Sequence, residues 1–255
     1  MWALSALAKE KKQISVVIPA FNEEAFIRST LKCLERQTLP RNAYEIIVVD
    51  GGSTDRTVEI ASEFADIVLL QRSKFVGGAR NDGVRVASAD IIATTDADIL
   101  VPRNWLERII SDFKRKDVVA VYGPIEPIEQ RMKYKIMLEL FNKLSHFANK
   151  THIFYTTVGA NTAFRRDAFL KVGGYDEIPA NDDYGIAKKL KKEGKILYDA
   201  RLKVKFSMRR MEKFGVSRAL LLWAENAWAA KRGKTPKVAY TRQNYSQQNA
   251  NQRTK

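Results

Sequence analysis

Sulfur and imidazole are nearly missing from this chain. One cysteine, Cys33, in 255 residues excludes an intramolecular disulfide and most thiolate metal sites. Its apolar neighbours make it an expected core residue. Two histidines, His146 and His152, leave little room for a zinc enzyme. No apolar run approaches the roughly 18 residues of a membrane-spanning helix. In the opening MWALSALAKEKK the positive charges follow a short apolar patch, the reverse of a secretory signal, so a cytoplasmic protein is expected. There is no internal repeat, and only 243–252, rich in Gln and Asn, reads as low-complexity and disordered.

Acidic charge is scarce at one end. The formal net charge is +15, yet residues 201–255 hold fourteen Lys/Arg against Glu212 and Glu225, leaving +3 for the first two hundred. Such a basic tail is drawn to anionic membranes or nucleic acid. The remainder, with 45% apolar and 29% charged residues overall, has the make-up of one large α/β domain or two small ones.

Apolar runs and helical periodicities alternate along the chain. Strands are expected at 14–19 (ISVVIP), 44–49 (YEIIVV), 67–70, the start of 91–98 (IIATTDAD), 118–122 and 157–164 (TVGANTAF). Between them lie expected helices. One is capped by Asn22 and carries Phe26, Ile27, Thr30, Leu31 and Leu34; another, 58–64, has Ser53 or Asp55 as cap; a third is opened by Gly77 and Gly78. Further helices are expected at 105–113, 129–150, 165–172 (ended by Gly173 and Gly174) and 181–193. The 129–150 helix carries Met132, Ile136, Leu140, Phe141 and Leu144, with core packing the expected role and an acceptor groove the alternative. This alternation implies a largely parallel sheet with right-handed crossovers.

Three strands end in polar groups: Pro19–Glu23, Asp50–Asp55 and Asp96–Asp98. Ligands collect beyond the carboxyl ends of parallel strands, where an Asp-x-Asp offers hard oxygens to a divalent cation and a diphosphate. A plainer reading stands beside it, in which Asp96 ends the strand and Asp98 caps the next segment.

The stretches ISVVIPAFNEE, EIIVVDGGSTDRT, GARNDGV, TTDAD, GANTAFRRDAFLKVGGYDE and NDDYGIAKKL, in that order, resemble the family 2 glycosyltransferases. The resemblance runs from about residue 14 to 190. It implies an α/β fold of the GT-A (Rossmann-like) type: a single domain with a central, mostly parallel mixed sheet flanked by helices, plus a basic helical C-terminal segment. The expected layout is a lead-in at 1–13 and the GT-A domain at 14–210, split into a nucleotide-sugar half (14–122) and an acceptor and catalytic half (123–210). A basic amphipathic helix at 211–240 and a disordered tail at 241–255 complete it.

The resemblance also implies roles for particular residues. Pro19, Ala20 and Phe21, with Glu23 close by, match the loop around the nucleotide; Asp50 matches the acid that binds the base, with Arg80 beside it. Asp96 and Asp98 match the two acids of the Asp-x-Asp, the second a ligand of Mn²⁺ or Mg²⁺. Gly159, Ala160 and Asn161 match the segment against the donor sugar. Asp182 and Asp183 match the Glu-Asp pair, with Asp183 the catalytic base; a helix cap is the alternative for this pair. A carboxylate suits the role because a hydroxyl nucleophile must lose its proton as it attacks, and a metal suits the charge gathering on the leaving diphosphate.

Many relatives carry a histidine where this chain reads KVKFSMRR (203–210); Ser207, Arg209 or Arg210 can meet the diphosphate instead, with both arginines simply solvated as the equal alternative. The implied activity is inverting transfer from a UDP- or GDP-linked sugar to a glycan hydroxyl or a polyprenyl-phosphate-type acceptor. The rival readings are an inactive nucleotide-sugar- or glycan-binding relative and a sugar-nucleotidyl transferase. No nucleic-acid partner is expected. The segment 214–234 puts Leu220, Leu221, Trp223, Ala224, Ala227 and Trp228 on one side with Lys231, Arg232 and Lys234 at its end, which implies peripheral attachment to an anionic membrane face. Packing on the enzyme's own core is the alternative.

Overall fold

Near-continuous runs of β-branched residues build the central strands, and the segments between them fold back as covering helices. The computed structural model describes residues 12–151 and 157–209, together with Glu225 (for Ala148 and Asn149, the backbone alone). In chain order the elements are β1 (Ile14–Ala20), α1 (Ile27–Glu35), β2 (Tyr44–Asp50), α2 (Thr57–Ser62), β3 (Ile67–Leu70), α3 (Phe75–Val86), β4 (Ile91–Thr94) and β5 (Ile99–Leu100). Next come α4 (Trp105–Asp112), β6 (Val118–Tyr122), β7 (Ile125–Pro127), α5 (Met132–Thr151), β8 (Thr162–Arg165), α6 (Arg166–Lys171), α7 (Asp182–Leu190), β9 (Lys195–Tyr198) and β10 (Val204–Phe206).

A seven-stranded sheet runs β3-β2-β1-β4-β8-β6-β9, and a three-stranded one runs β5-β10-β7. β1 through β4 pair in parallel, β8 is antiparallel to both β4 and β6, and β9 returns parallel to β6. Alternate residues feed opposite faces, as the pleat requires. Val16, Ile18, Ile46 and Val48 meet Leu31 and Leu34 of α1 and Trp105 and Ile109 of α4. Val17, Ile47 and Val49 meet Ala79 and Val84 of α3, Phe169 of α6 and Ile186 of α7. Strand order reverses about β1, so the loops after β1, β2 and β4 open on a common crevice.

Four expectations need correcting. Asn22 does not cap α1: it sits in the left-handed region (φ 54), its amide donating to Ser53 Oγ and its Oδ1 accepting from the Thr54 amide. It ties the first loop to the second. Ser53 is likewise no cap, though Asp55 Oδ1 accepts from the Thr57 amide at the start of α2. The 157–164 stretch is not one strand, because Gly159–Asn161 forms a 3-10 turn and β8 begins only at Thr162. On α5, Met132, Ile136, Leu140 and Leu144 are 56–68% exposed, and core packing falls instead to Tyr134, Met137 and Leu138. Cys33 lies at the core's edge, half-buried.

No helix among the described residues is long and apolar enough to cross a membrane. The expected helix at 211–240, the tail at 241–255, Arg210 and His152 lie outside the described residues, apart from the single position Glu225.

Candidate active site

Two arginine clamps, one buried and one half-buried, organise the crevice. The first is Arg80 on α3. This helix can lie close on β1 because Gly83 has no side chain; a Cβ there would run into Val17 Cγ1. Arg80 Nη2 donates to Asp96 Oδ1 at 2.8 Å and Nη1 to Asp182 Oδ2 at 2.9 Å, while the guanidinium lies 5.5 Å from the Tyr175 ring centre. Burial works against its charge, but Asp96 and Asp182 outweigh burial and hold Arg80 firmly protonated. One guanidinium thus joins the end of β4 to the start of α7.

Asp183 is the next residue. It is half-buried, and its Oδ1 is out of solvent with no hydrogen-bond partner. A carboxylate oxygen in that state is costly as an anion. Burial first, and then the charge of Asp182, push its carboxyl up to about 7, with Arg80 opposing. Burial also raises Asp182, again against Arg80. Asn181, the N-cap of α7, is left-handed (φ 66) and makes no side-chain cap bond, and both acids stand in the first turn of the helix.

The 3-10 turn lies against both groups. A Cβ on Gly159 would sit 2.6 Å from Arg80 Nη2 and 2.7 Å from Asp183 Oδ1. Gly159→Ala is therefore expected to displace both side chains and lower turnover about 10²-fold, the scale of an ångström-sized misplacement. The test is steady-state kinetics beside a melting curve; wild-type turnover would show that this close approach does not matter.

The second clamp is Arg209, just past β10. Its Nη2 donates to both carboxylate oxygens of Glu23 (2.5 and 2.6 Å), its Nε donates to Asp98 Oδ2 at 3.0 Å, and the guanidinium stacks 4.2 Å from the Phe26 ring centre. Residues 186 positions apart are joined here. A guanidinium therefore stands beside the second acid of the Asp-x-Asp.

Other expected residues are held in different ways. Asp50 accepts from the amides of Gly52 (2.8 Å) and Ser53 (2.9 Å) and from Ser53 Oγ (2.5 Å), so its carboxylate shapes the GGS turn. Pro19 and Ala20 end β1, and the Gly51 amide bonds to the Ala20 carbonyl, bringing Phe21 against Gly51. Asn161 is wholly buried, its amide donating to the Pro124 and Leu202 carbonyls and its Oδ1 accepting from Trp105 Nε1. Its side chain braces the turn from inside, leaving Gly159 and Ala160 for the crevice. Ser207 is buried, with its hydroxyl on Glu129 (3.4 Å). Sequence reasoning overlooked Thr94 and Thr95, whose hydroxyls donate to the Gly159 and Ala160 carbonyls. Their signal was two hydroxyls at a buried strand end.

With Asp182 and Asp183 pushed towards their neutral forms, Glu23, Asp96 and Asp98 still outnumber Arg80 and Arg209, an excess of negative charge suited to a cation. Among the described residues no three His, Cys, Asp or Glu side chains are grouped to cage a metal. The set fits a hard cation held by one or two carboxylates and completed by substrate phosphates, a common arrangement for Mg²⁺.

Residues 15–173 match the family model described as Glycosyl transferase family 2. Among characterised proteins the chain is 36% identical over 119 residues to glycosyltransferase AglE of Haloferax volcanii, covering 44% of this chain and 39% of that one. It is 27% identical over 177 residues to the glucosyl-dolichyl phosphate glucuronosyltransferase of the same organism, covering 64% and 56%. The chain thus spans about half, or less, of these relatives. The structure of mannosyltransferase PcManGT from Pyrobaculum calidifontis, in complex with GDP-Man and Mn²⁺, superposes with a TM-score of 0.61 at 24% identity over 76% of this chain and 56% of that one. That likeness identifies the fold as GT-A.

Proposed function

Because the chain belongs to glycosyl transferase family 2, we propose that it transfers a sugar, with inversion, from a UDP- or GDP-linked donor to an acceptor hydroxyl or lipid phosphate in glycan or glycolipid assembly. The observation that carries this reading is Asp183: a carboxyl raised to about 7, with an unpartnered oxygen, beside Gly159 and Arg80. A poised base next to a clamp of acids is what transfer to a hydroxyl needs.

Asp183 takes the acceptor hydroxyl's proton as that oxygen bonds to the anomeric carbon. The bond from that carbon to the diphosphate oxygen breaks, and the electron pair leaves with the diphosphate. Attack from the face opposite the leaving group inverts the centre. Arg80 fixes Asp96 and Asp182 on either side, so the base keeps one position through the step. Asp98, with Glu23 near it, would hold a divalent cation, which supplies charge neutralisation at the leaving diphosphate. Arg209, bonded to these same two acids, is placed to meet the phosphate oxygens, a contact guanidinium favours. GDP-Man and Mn²⁺ in PcManGT support the donor class and the metal. The dolichyl-phosphate named for one relative supports a lipid-linked acceptor.

With a hydroxyl acceptor, kcat/KM is expected to rise with unit slope as Asp183 deprotonates and to level off above about pH 7. Asp182→Asn removes the neighbouring charge that raises Asp183, so the midpoint should move down. A profile flat from about pH 5 to about pH 9 would rule Asp183 out as the base.

A further inference from the structure

α5 carries two apolar faces, and among the described residues only one is covered. Tyr134, Met137 and Leu138 are buried, and Asn142 bonds both to the amide (3.1 Å) and to the carbonyl (2.8 Å) of Ile125 in β7. On the other side Met132, Ile136, Leu140, Leu144 and Phe147 are 68, 61, 56, 58 and 58% exposed. At about 100° per residue these five fall within an arc of about 120° along a helix about 30 Å long. Single exposed apolar residues are ordinary; an aligned row of five marks an interaction surface.

The charge on α5 identifies the partner. Lys133, Lys143 and Lys150 are exposed on the same arc, and the single acid of the helix, Glu139, is bonded to Lys143 at 2.7 Å. Residues 131–151 carry five Lys/Arg against one Glu, a net +4. The chain's own residues 210–255 carry ten Lys/Arg against two Glu, so they meet this face with like charge, as would a second copy. An anionic lipid surface complements both features: apolar side chains enter the interfacial region while lysine stems reach back to the headgroups.

We propose that α5 docks on an anionic bilayer, with the Met132–Phe147 row inserted at the interface. This goes beyond the transfer reading by naming a second partner and the face that meets it. Glu129, three residues before α5, accepts the Met208 amide at 2.9 Å, next to Arg209.

The experiment is flotation of the full chain with phosphatidylglycerol–phosphatidylcholine vesicles against phosphatidylcholine alone, at low and at physiological salt. Binding is expected to the anionic vesicles and to weaken with salt. Ile136→Glu/Leu140→Glu should reduce it at least about tenfold, since binding follows buried apolar area and anionic attraction. The melting temperature, molecular mass and nucleotide affinity should stay at wild-type values. Wild-type binding by this variant, or a full chain that ignores anionic vesicles at low salt, would overturn the proposal. So would a lowered melting temperature or mass, which would mean that the chain itself or a second copy covers the row. Turnover on a soluble acceptor, measured without vesicles, reports separately on the transfer reading.

Discussion

Asp183→Asn is expected to lower turnover on a hydroxyl acceptor by about 10²-fold or more, with donor affinity near wild type. The amide keeps the shape of the carboxyl but cannot take a proton. The same substitution should change stability with a definite sign. Unfolded, an aspartate titrates near 3.9; folded, Asp183 is pushed up to about 7 by burial and by Asp182. Between those values the folded state holds the extra proton, so this group's contribution to stability falls as pH rises. Asparagine has no such titration. The variant should therefore gain in melting temperature relative to wild type as pH rises through this window. If the acceptor is a lipid phosphate, its oxygen is already anionic and the turnover loss disappears while the stability effect remains. Full activity on a hydroxyl acceptor would remove Asp183 from the chemistry.

Asp98→Ala is expected to cost about 10³-fold or more in transfer, the several kcal/mol a cation contributes at a developing oxyanion. It should also erase the metal-dependent part of nucleotide affinity. The fold should survive, since Asp98 lies past the end of β4. Arg209 supplies a second readout. Because it now holds Asp98 and Glu23, Arg209→Gln should strengthen Mn²⁺ binding to the nucleotide-free protein, measured by the loss of the free-ion electron paramagnetic resonance signal. The same variant should weaken nucleotide binding in the presence of metal. Unchanged Mn²⁺ affinity in both Asp98→Ala and Arg209→Gln would show that the cation binds elsewhere or not at all.

How much of this was legible in the sequence depended on the range of the interaction. β1, β2, β3 and β6 are apolar runs bounded by turn residues and fall within a residue of expectation; burial dictates β1, β2 and β6, while β3, part-exposed at the sheet edge, is carried by its β-branched and apolar run. The strands β5, β7 and β10, two or three residues each, carry no periodicity and exist through pairing alone. The 3-10 turn at Gly159–Asn161 reads locally as more strand. What bends it is a set of hydrogen bonds from Thr94, Thr95 and Trp105, all more than fifty residues away. α5 shows the same limit differently: periodicity reveals an apolar face, but not which of two faces the core covers.

The candidate site divides in the same way. Asp96, Asp98 and Asp183 were legible as acids at element ends, where a family resemblance gives them roles. The partnership of Arg80 with Asp96 and Asp182, and of Arg209 with Glu23 and Asp98, exists only once the chain is folded. Arg209 was one of three candidates for the missing histidine's place, and only the folded chain shows it seated on Asp98, the acid proposed to hold the cation. Asn161, expected against the sugar, is spent on bracing the turn.

The central claim is most directly tested by incubating the chain with UDP- and GDP-linked sugars and Mn²⁺, and following nucleoside diphosphate release together with the anomeric configuration of the product by NMR. Metal-dependent release from one donor class is predicted, with an inverted product and loss of both in Asp98→Ala. A retained anomeric configuration, or release that persists undiminished in Asp98→Ala, would contradict it.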